Sequence, residues 1–233
     1  MKNLLLPAVL WSLALVPAFA QSTQTRPVPA FHAINVGTGI ELDLSAGRSQ
    51  HVEVSASTDE YRNYIETTVQ DGVLTLRYKN PEGRSQRNDR TNKHLRVAVT
   101  ADELTALTAG SGSSVRTAGD FDAAEFKLDV SSGATVKAGL DTQALTVHQS
   151  SGSTADLSGR ATSLSVESSS GASFDAADLK TDHCRAEASS GSSVSIAVKD
   201  DLVAQASSGG SIRYKGSPQL TKRTSSGGSV SGR

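Results

Sequence analysis

Seven Ser-Gly pairs recur through the second half of the chain, and they constrain its fold more than any other feature. Gly112, Gly133, Gly152, Gly171, Gly191, Gly209 and Gly227 are separated by 21, 19, 19, 20, 18 and 18 residues. Ser111, Ser132, Ser151, Ser170, Ser190, Ser208 and Ser226 precede them. Two residues after each Gly stands a hydroxyl side chain: Ser114, Thr135, Thr154, Ser173, Ser193, Ser211 and Ser229. Three residues after it stands an apolar one: Val115, Val136, Ala155, Phe174, Val194, Ile212 and Val230. Agreement at several offsets in every copy is not a product of composition. A fixed period near 20 residues is the signature of a repeat architecture.

The offsets define a face. Odd steps back from Gly133 meet Val130, Leu128 and Phe126; from Gly152 they meet Gln149, Val147 and Leu145. From Gly191 they meet Ala188, Ala186 and Cys184, whereas even steps meet His148, Glu167, Glu187 and Arg223. Period two within each repeat means short strands with one inward side. A single repeat cannot bury that side, so repeats stack, with rungs about 4.8 Å apart and seven of them spanning about 29 Å. The predicted fold is all-β: a right-handed parallel β-helix or β-solenoid of about 19-residue rungs over 104–233, preceded by an N-terminal β-rich region at 31–103. The Ser before each Gly falls on the inward set, where its hydroxyl is expected to pair with neighbouring rungs. An unpaired buried hydroxyl would cost about 1–3 kcal/mol.

At the Gly itself two conformations are open. A strand running straight through would place Ser131, Gly133 and Thr135 on one flat hydroxyl face, repeated in each rung, which suits an ice or glycan lattice. A left-handed corner at Gly, capped by its Ser neighbours, is the preferred reading, because a positive φ is the conformation that favours glycine.

Before the repeats, Ile40–Leu44, His51–Val54, Val73–Tyr78 and Leu95–Val99 alternate apolar and polar residues, and Gln70-Asp71-Gly72 supplies a turn. Residues 79–96 hold Lys79, Arg84, Arg87, Arg90, Lys93 and Arg96 against Glu82 and Asp89. This basic stretch reads as a solvated hairpin loop in preference to an anion site. Residues 21–30, with Pro27 and Pro29, read as a flexible lead.

Met1–Ala20 has Lys2, an apolar run from Leu4 to Val16, and Ala18-Phe19-Ala20, the pattern of a secretory signal peptide cleaved before Gln21. The run is shorter than the roughly 20 residues of a membrane span. No transmembrane segment is read elsewhere. The protein is expected to be exported, to the periplasm, the outer envelope or the cell exterior.

Phe31-His32-Ala33-Ile34-Asn35-Val36-Gly37, the later Asp71-Gly72-Val73-Leu74-Thr75-Leu76 and the Ser-Gly repeats together resemble the putative auto-transporter adhesin, head GIN domain family. The resemblance covers nearly the whole chain after the leader, making 31–233 one continuous domain of that type. It implies an exported β-helical domain of the bacterial cell envelope, with no established catalytic residues to carry over.

Chemistry is sparse. G-x-S-x-G, H-E-x-x-H and the phosphate-binding G-x-x-x-x-G-K are absent. His51, His94 and His183 lack ligand spacing, and His148 points outward alone. Asp129, Glu167 and Glu187 share an offset, interrupted by His148 and Gln205. No Asp recurs after the glycines in the manner of calcium-binding repeats. The single Cys184 occupies an inward, Leu-like position and reads as a buried hydrophobe. Lys222 takes the inward offset in the last rung and reads as a guard against edge association. Lys and Arg number 23 against 24 acidic residues, so no basic field for nucleic acid is present. The expectation is a binding module, not an enzyme, with no catalytic, cofactor-binding or metal residues and no cofactor. Its partner would be an envelope or surface polymer, carbohydrate or protein. A self-assembling structural solenoid is the alternative.

Overall fold

The computed structural model describes residues 23–79 and 92–232, so the predicted leader and most of the basic stretch lie outside the described residues. In chain order the first strands are β1 (Thr23–Thr25), β2 (Ala33–Val36), β3 (Glu41–Ala46) and β4 (His51–Ser55). A short helix α1 (Asp59–Asn63) leads to β5 (Ile65–Gln70), β6 (Val73–Tyr78), β7 (Arg96–Ala101) and β8 (Ala106–Ala109). The long strands β9 (Ser114–Val130), β10 (Thr135–Gln149), β11 (Thr154–Ser168), β12 (Ser173–Ala188) and β13 (Ser193–Ala206) follow. The described chain closes with β14 (Ser211–Lys215), β15 (Gln219–Thr224) and β16 (Ser229–Gly232).

Each Ser-Gly pair is a tight turn. Ser132 and Gly133 have φ of 52° and 70°, and the same pair of left-handed values recurs at all seven pairs. With both central residues at positive φ, the turn has the pattern of type I′. The residue after Gly closes it, as Ala134 N–H does on the Ser131 carbonyl at 3.0 Å and Ser192 N–H on Ser189 at 3.0 Å. The turns also bond to one another along the stack: Gly133 N–H donates to Ser151 O at 3.1 Å, and Gly152 N–H to Ser170 O at 3.0 Å. The corner reading is therefore correct. The flat face running through Ser131, Gly133 and Thr135 is not formed, which removes the geometry that motivated the ice or glycan lattice reading.

Two consecutive left-handed residues also shift the phase of the alternation. The Ser before Gly, expected inward, is exposed on the corner. The inward hydroxyl belongs to the residue after Gly, where Ser113, Ser153 and Ser192 are buried and alternate with Ala134 and Ala172. Away from the corner the inward set is as read from the sequence. Leu107, Leu128, Val147, Val166, Ala186 and Ala204 lie in register on successive coils, all buried. Phe126, Leu145, Leu164, Cys184 and Leu202 form a second such column. Small and medium side chains suit this interior because each coil meets the next at the narrow spacing of a parallel sheet.

Differences in repeat length are absorbed away from the corner. The pairing register shifts between Lys137 and Gly139, between Asp156 and Ser158, and between Ala176 and Lys180. A little further on, the inward residues jump from Thr142 to Leu145, from Ala161 to Leu164 and from Thr181 to Cys184, so the chain turns again there. Each coil thus has one rigid Ser-Gly corner and two softer bends enclosing a short arm.

The N-terminal region belongs to the same 16-stranded sheet. Thr38 and Gly39, with φ of 55° and 71°, make an eighth corner between β2 and β3. Gly39 N–H donates to Ser111 O at 3.0 Å, joining it to the stack. β2 and β3 pair in parallel with β8 and β9 on one side and with β6 and β7 on the other. The hairpin read from the sequence between β6 and β7 is not formed, because these two strands do not pair with each other; residues 80–91 lie outside the described residues. Antiparallel β5 on β6 and β4 on β7 cover this end of the solenoid. Thr23–Thr25, read as part of a flexible lead, instead pairs antiparallel with β4. The predicted turn at Asp71-Gly72 closes the β5–β6 hairpin. No helix among the described residues is long and apolar enough to cross a membrane.

Candidate functional site

Stacking converts isolated surface residues into columns. Four residues before the corner Gly, Asp129, His148, Glu167, Glu187 and Gln205 lie in register on five successive coils. His148 and Gln205 do not break up the carboxylates, as the linear sequence suggested, but join them in one polar column. His148 Nδ1 is 3.2 Å from Asp129 Oδ1, and its Nε2 is 3.8 Å from Glu167 Oε2. Arg185 pairs with Glu187. All of these side chains remain partly exposed, so their mutual attraction is weak and they stay available to a ligand.

Beside this column, two residues nearer the corner, stand Ser131, Ser150, Ser169, Ser189 and Ser207. Their N–H groups are bonded to the preceding coil, as Ser150 N–H is to Val130 O at 3.0 Å. The two columns line a groove of about 450 Å³ along the stack, floored by the line of Val130, Gln149, Ser168 and Ala188. Gln149 Nε2 donates to Ser173 O at 2.9 Å. Gln149 Oε1 and the Ser168 hydroxyl, adjacent in register beneath the groove, are buried without a hydrogen-bond partner in the protein. The groove can accept hydrogen bonds through its carboxylates and both donate and accept through its serines.

Stacking also assembles groups the sequence did not connect. Ser163, His183 and Asp201 lie in register on three coils, and His183 Nδ1 is 2.8 Å from Asp201 Oδ2. The order mimics a hydrolytic triad. However, the Ser163 hydroxyl donates to Gln143 O at 3.1 Å, and strands on both sides pair with β11 at this position. Backbone N–H groups committed to sheet pairing offer no oxyanion hole here. The common offset of these three residues was the signal that could have revealed the column.

The remaining singled-out residues fall as follows. Cys184 is 5 % exposed between Leu164 and Leu202, and burial pushes its thiol up to about 12. A thiol held protonated in an apolar interior is inert. Lys222 pairs in register with Ala204 and is exposed. At the margins of the basic stretch, Lys79 meets Glu66 at 3.4 Å, and Arg96 meets Glu41 at 3.0 Å and Asp43 at 3.6 Å. Lys93 Nζ lies 4.8 Å from the Tyr78 ring centre and 5.6 Å from that of Tyr61.

A family model described as "Putative auto-transporter adhesin, head GIN domain" matches residues 30–218. No curated protein matches the sequence. Among solved structures, a putative adhesin from Bacteroides fragilis NCTC 9343 superposes with a TM-score of 0.79 at 19 % identity, covering 93 % of this chain and 97 % of that one. A putative adhesin from Parabacteroides distasonis ATCC 8503 gives 0.71 at 18 % identity, over 91 % and 97 % of the two chains. A putative lipid binding protein from the same strain gives 0.66 at 15 % identity, over 93 % and 98 %. At these identities the likeness is one of fold.

Proposed function

Since the chain belongs to the putative auto-transporter adhesin, head GIN domain family, we propose that it is an exported cell-envelope binding module. It acts by adhesion rather than catalysis, and it holds a surface polymer along the corner groove. The observation that carries this reading is the register of Asp129, His148, Glu167, Glu187 and Gln205 beside the serine column. A polymer presents the same groups repeatedly, and a column repeats the same contacts at each rung, so modest individual contacts sum over the length of the groove. The interior supports the same view: its packing is apolar and small, and it holds the ladders rigidly in place. Rigid presentation lowers the ordering cost of binding an extended ligand.

The test is cosedimentation of the purified chain with isolated bacterial envelopes and with intact host-type cells, comparing the parent with Glu167→Ala/Glu187→Ala. The parent should sediment with at least one of these surfaces and the double variant should lose about tenfold or more of its apparent affinity. Absence of sedimentation for the parent, or equal sedimentation of both proteins, would overturn the reading.

A further inference from the structure

A second concavity lies on the short arm between the two bends, on the later coils, and its charge is opposite to that of the corner groove. It encloses about 680 Å³ and is lined by Arg160, Lys180, Lys199 and Lys215 around Ala197 and Val198. Arg160 and Lys180 lie directly in register, as do Lys180 with Ala197 and Ala197 with Lys215. From Arg160 to Lys215 is three rungs, about 14 Å.

Like charges directly opposite on neighbouring strands destabilise a sheet. The expected remedy is a local carboxylate, and Lys199 has two: Asp200 at 3.4 Å and Asp182 at 4.0 Å. Arg160, Lys180 and Lys215 form no ion pair with any described residue, although Asp141 stands in register with Arg160 on the preceding coil. Within this column the charge changes sign, from Asp122 and Asp141 to Arg160 and Lys180. Three unneutralised cations around a concave, partly apolar floor concentrate positive potential there.

We propose that this pocket binds the acidic groups of an anionic polysaccharide. The span of the cations favours an extended polyanion over a single small anion. Ala197, half-buried at the floor, offers a small apolar surface for the edge of a sugar ring, with Val198 buried beneath. Gly216 is held tightly, since a Cβ there would come within 2.1 Å of Val198 O. An anionic membrane would also satisfy the charge, but interfacial binding draws on exposed bulky apolar side chains. The exposed large hydrophobic among the described residues is Val203, 42 % exposed, and it is not part of the pocket. Single-stranded nucleic acid would want aromatic platforms, which the pocket does not contain. The pocket shares no residue with the corner groove, so it stands or falls separately from the reading above.

The experiment uses the purified chain with polygalacturonate as the probe, dextran as the neutral polymer and phosphatidylglycerol vesicles as the membrane arm, at low and high salt. Polygalacturonate should bind at low salt and weaken as salt rises, with no binding to dextran. Lys180→Glu and Lys215→Glu should each weaken binding about tenfold or more, whereas Lys180→Arg should retain it. Lys222→Glu makes the same charge change in the last coil and should bind like the parent. The proposal is overturned if polygalacturonate fails to bind, if Lys222→Glu weakens binding as much as Lys180→Glu, or if the vesicles alone bind.

Discussion

The Ser192 hydroxyl donates to the carbonyl of Ser168 on the preceding coil at 2.8 Å, and that same oxygen accepts the Ser189 N–H at 3.0 Å. Ser153 repeats the arrangement on Val130 O at 3.0 Å, where Ser150 N–H already binds at 3.0 Å. The hydroxyl is thus a second donor to a satisfied acceptor, and alanine fills the equivalent place at Ala134 and Ala172. Ser153→Ala should therefore destabilise the fold by only about 0.5–1.5 kcal/mol, with no orphaned carbonyl. A chemical denaturation curve measures this. A loss several times larger would mean that the hydroxyls, not the stacked turns, hold the corner.

Gly171 has φ of +70° with open space where a Cβ would point. Any cost of substitution there is conformational rather than steric. Gly171→Val should lower stability by more than about 1 kcal/mol, because a branched side chain resists the left-handed region, and Gly171→Asn should cost less. Thermal melting of the two variants gives the order. Equal melting of Val, Asn and parent would contradict the turn.

Cys184 titrates high because burial disfavours the thiolate. The sign follows: the native state retains the proton over a range in which the unfolded chain has lost it. The thiol's contribution is therefore fully present below the unfolded value near 9.0 and is lost as pH rises toward about 12. Replacing Cys184 with Ala should flatten the alkaline fall in stability relative to the parent. In the native state at neutral pH the thiol should resist a thiol reagent until the protein unfolds. Rapid native labelling would show that the column of Leu164, Cys184 and Leu202 opens.

Lys222 continues the column Val166, Ala186, Ala204 into the last coil, and among the described residues no strand lies beyond β15. A charge at an inward position guards an open edge against pairing with another chain. Lys222→Val should produce concentration-dependent end-to-end association, seen as a rise in weight-average mass by light scattering. A variant as monomeric as the parent, or a parent already associated through this end, would remove the guard role and favour the structural-assembly alternative.

The signal-peptide pattern ending in Ala18-Phe19-Ala20 predicts that an exported form begins at Gln21. Intact-mass measurement of secreted protein decides this, and retention of Met1 would contradict it.

Local chemistry is what the linear chain alone determined. At the repeat positions Ser-Gly specifies a tight left-handed corner, whereas Ser158-Gly159 and Ser231-Gly232 do not form one. Alternation on either side specifies which residues face inward, so Leu128, Val147 and Cys184 were placed correctly, while Lys222 falls in register with Ala204 but is exposed. The corner's own phase was not legible in this way. Only backbone geometry shows that two consecutive left-handed residues move the inward hydroxyl from Ser151 to Ser153. The Thr38-Gly39 corner escaped detection because the excursion through β4 to β7 separates it from Gly112 and destroys the period. Its identity as a coil rests on pairing with β8 and β9, contacts between residues about seventy positions apart. The cationic pocket was hidden for a related reason. Arg160 and Lys180 both lie eleven residues before their corner Gly, but bends of unequal length slip the register in the later coils, so Lys199 and Lys215 stand ten and twelve residues before theirs. Stacking brings them together because sheet hydrogen bonds, not sequence intervals, decide which residue lies above which.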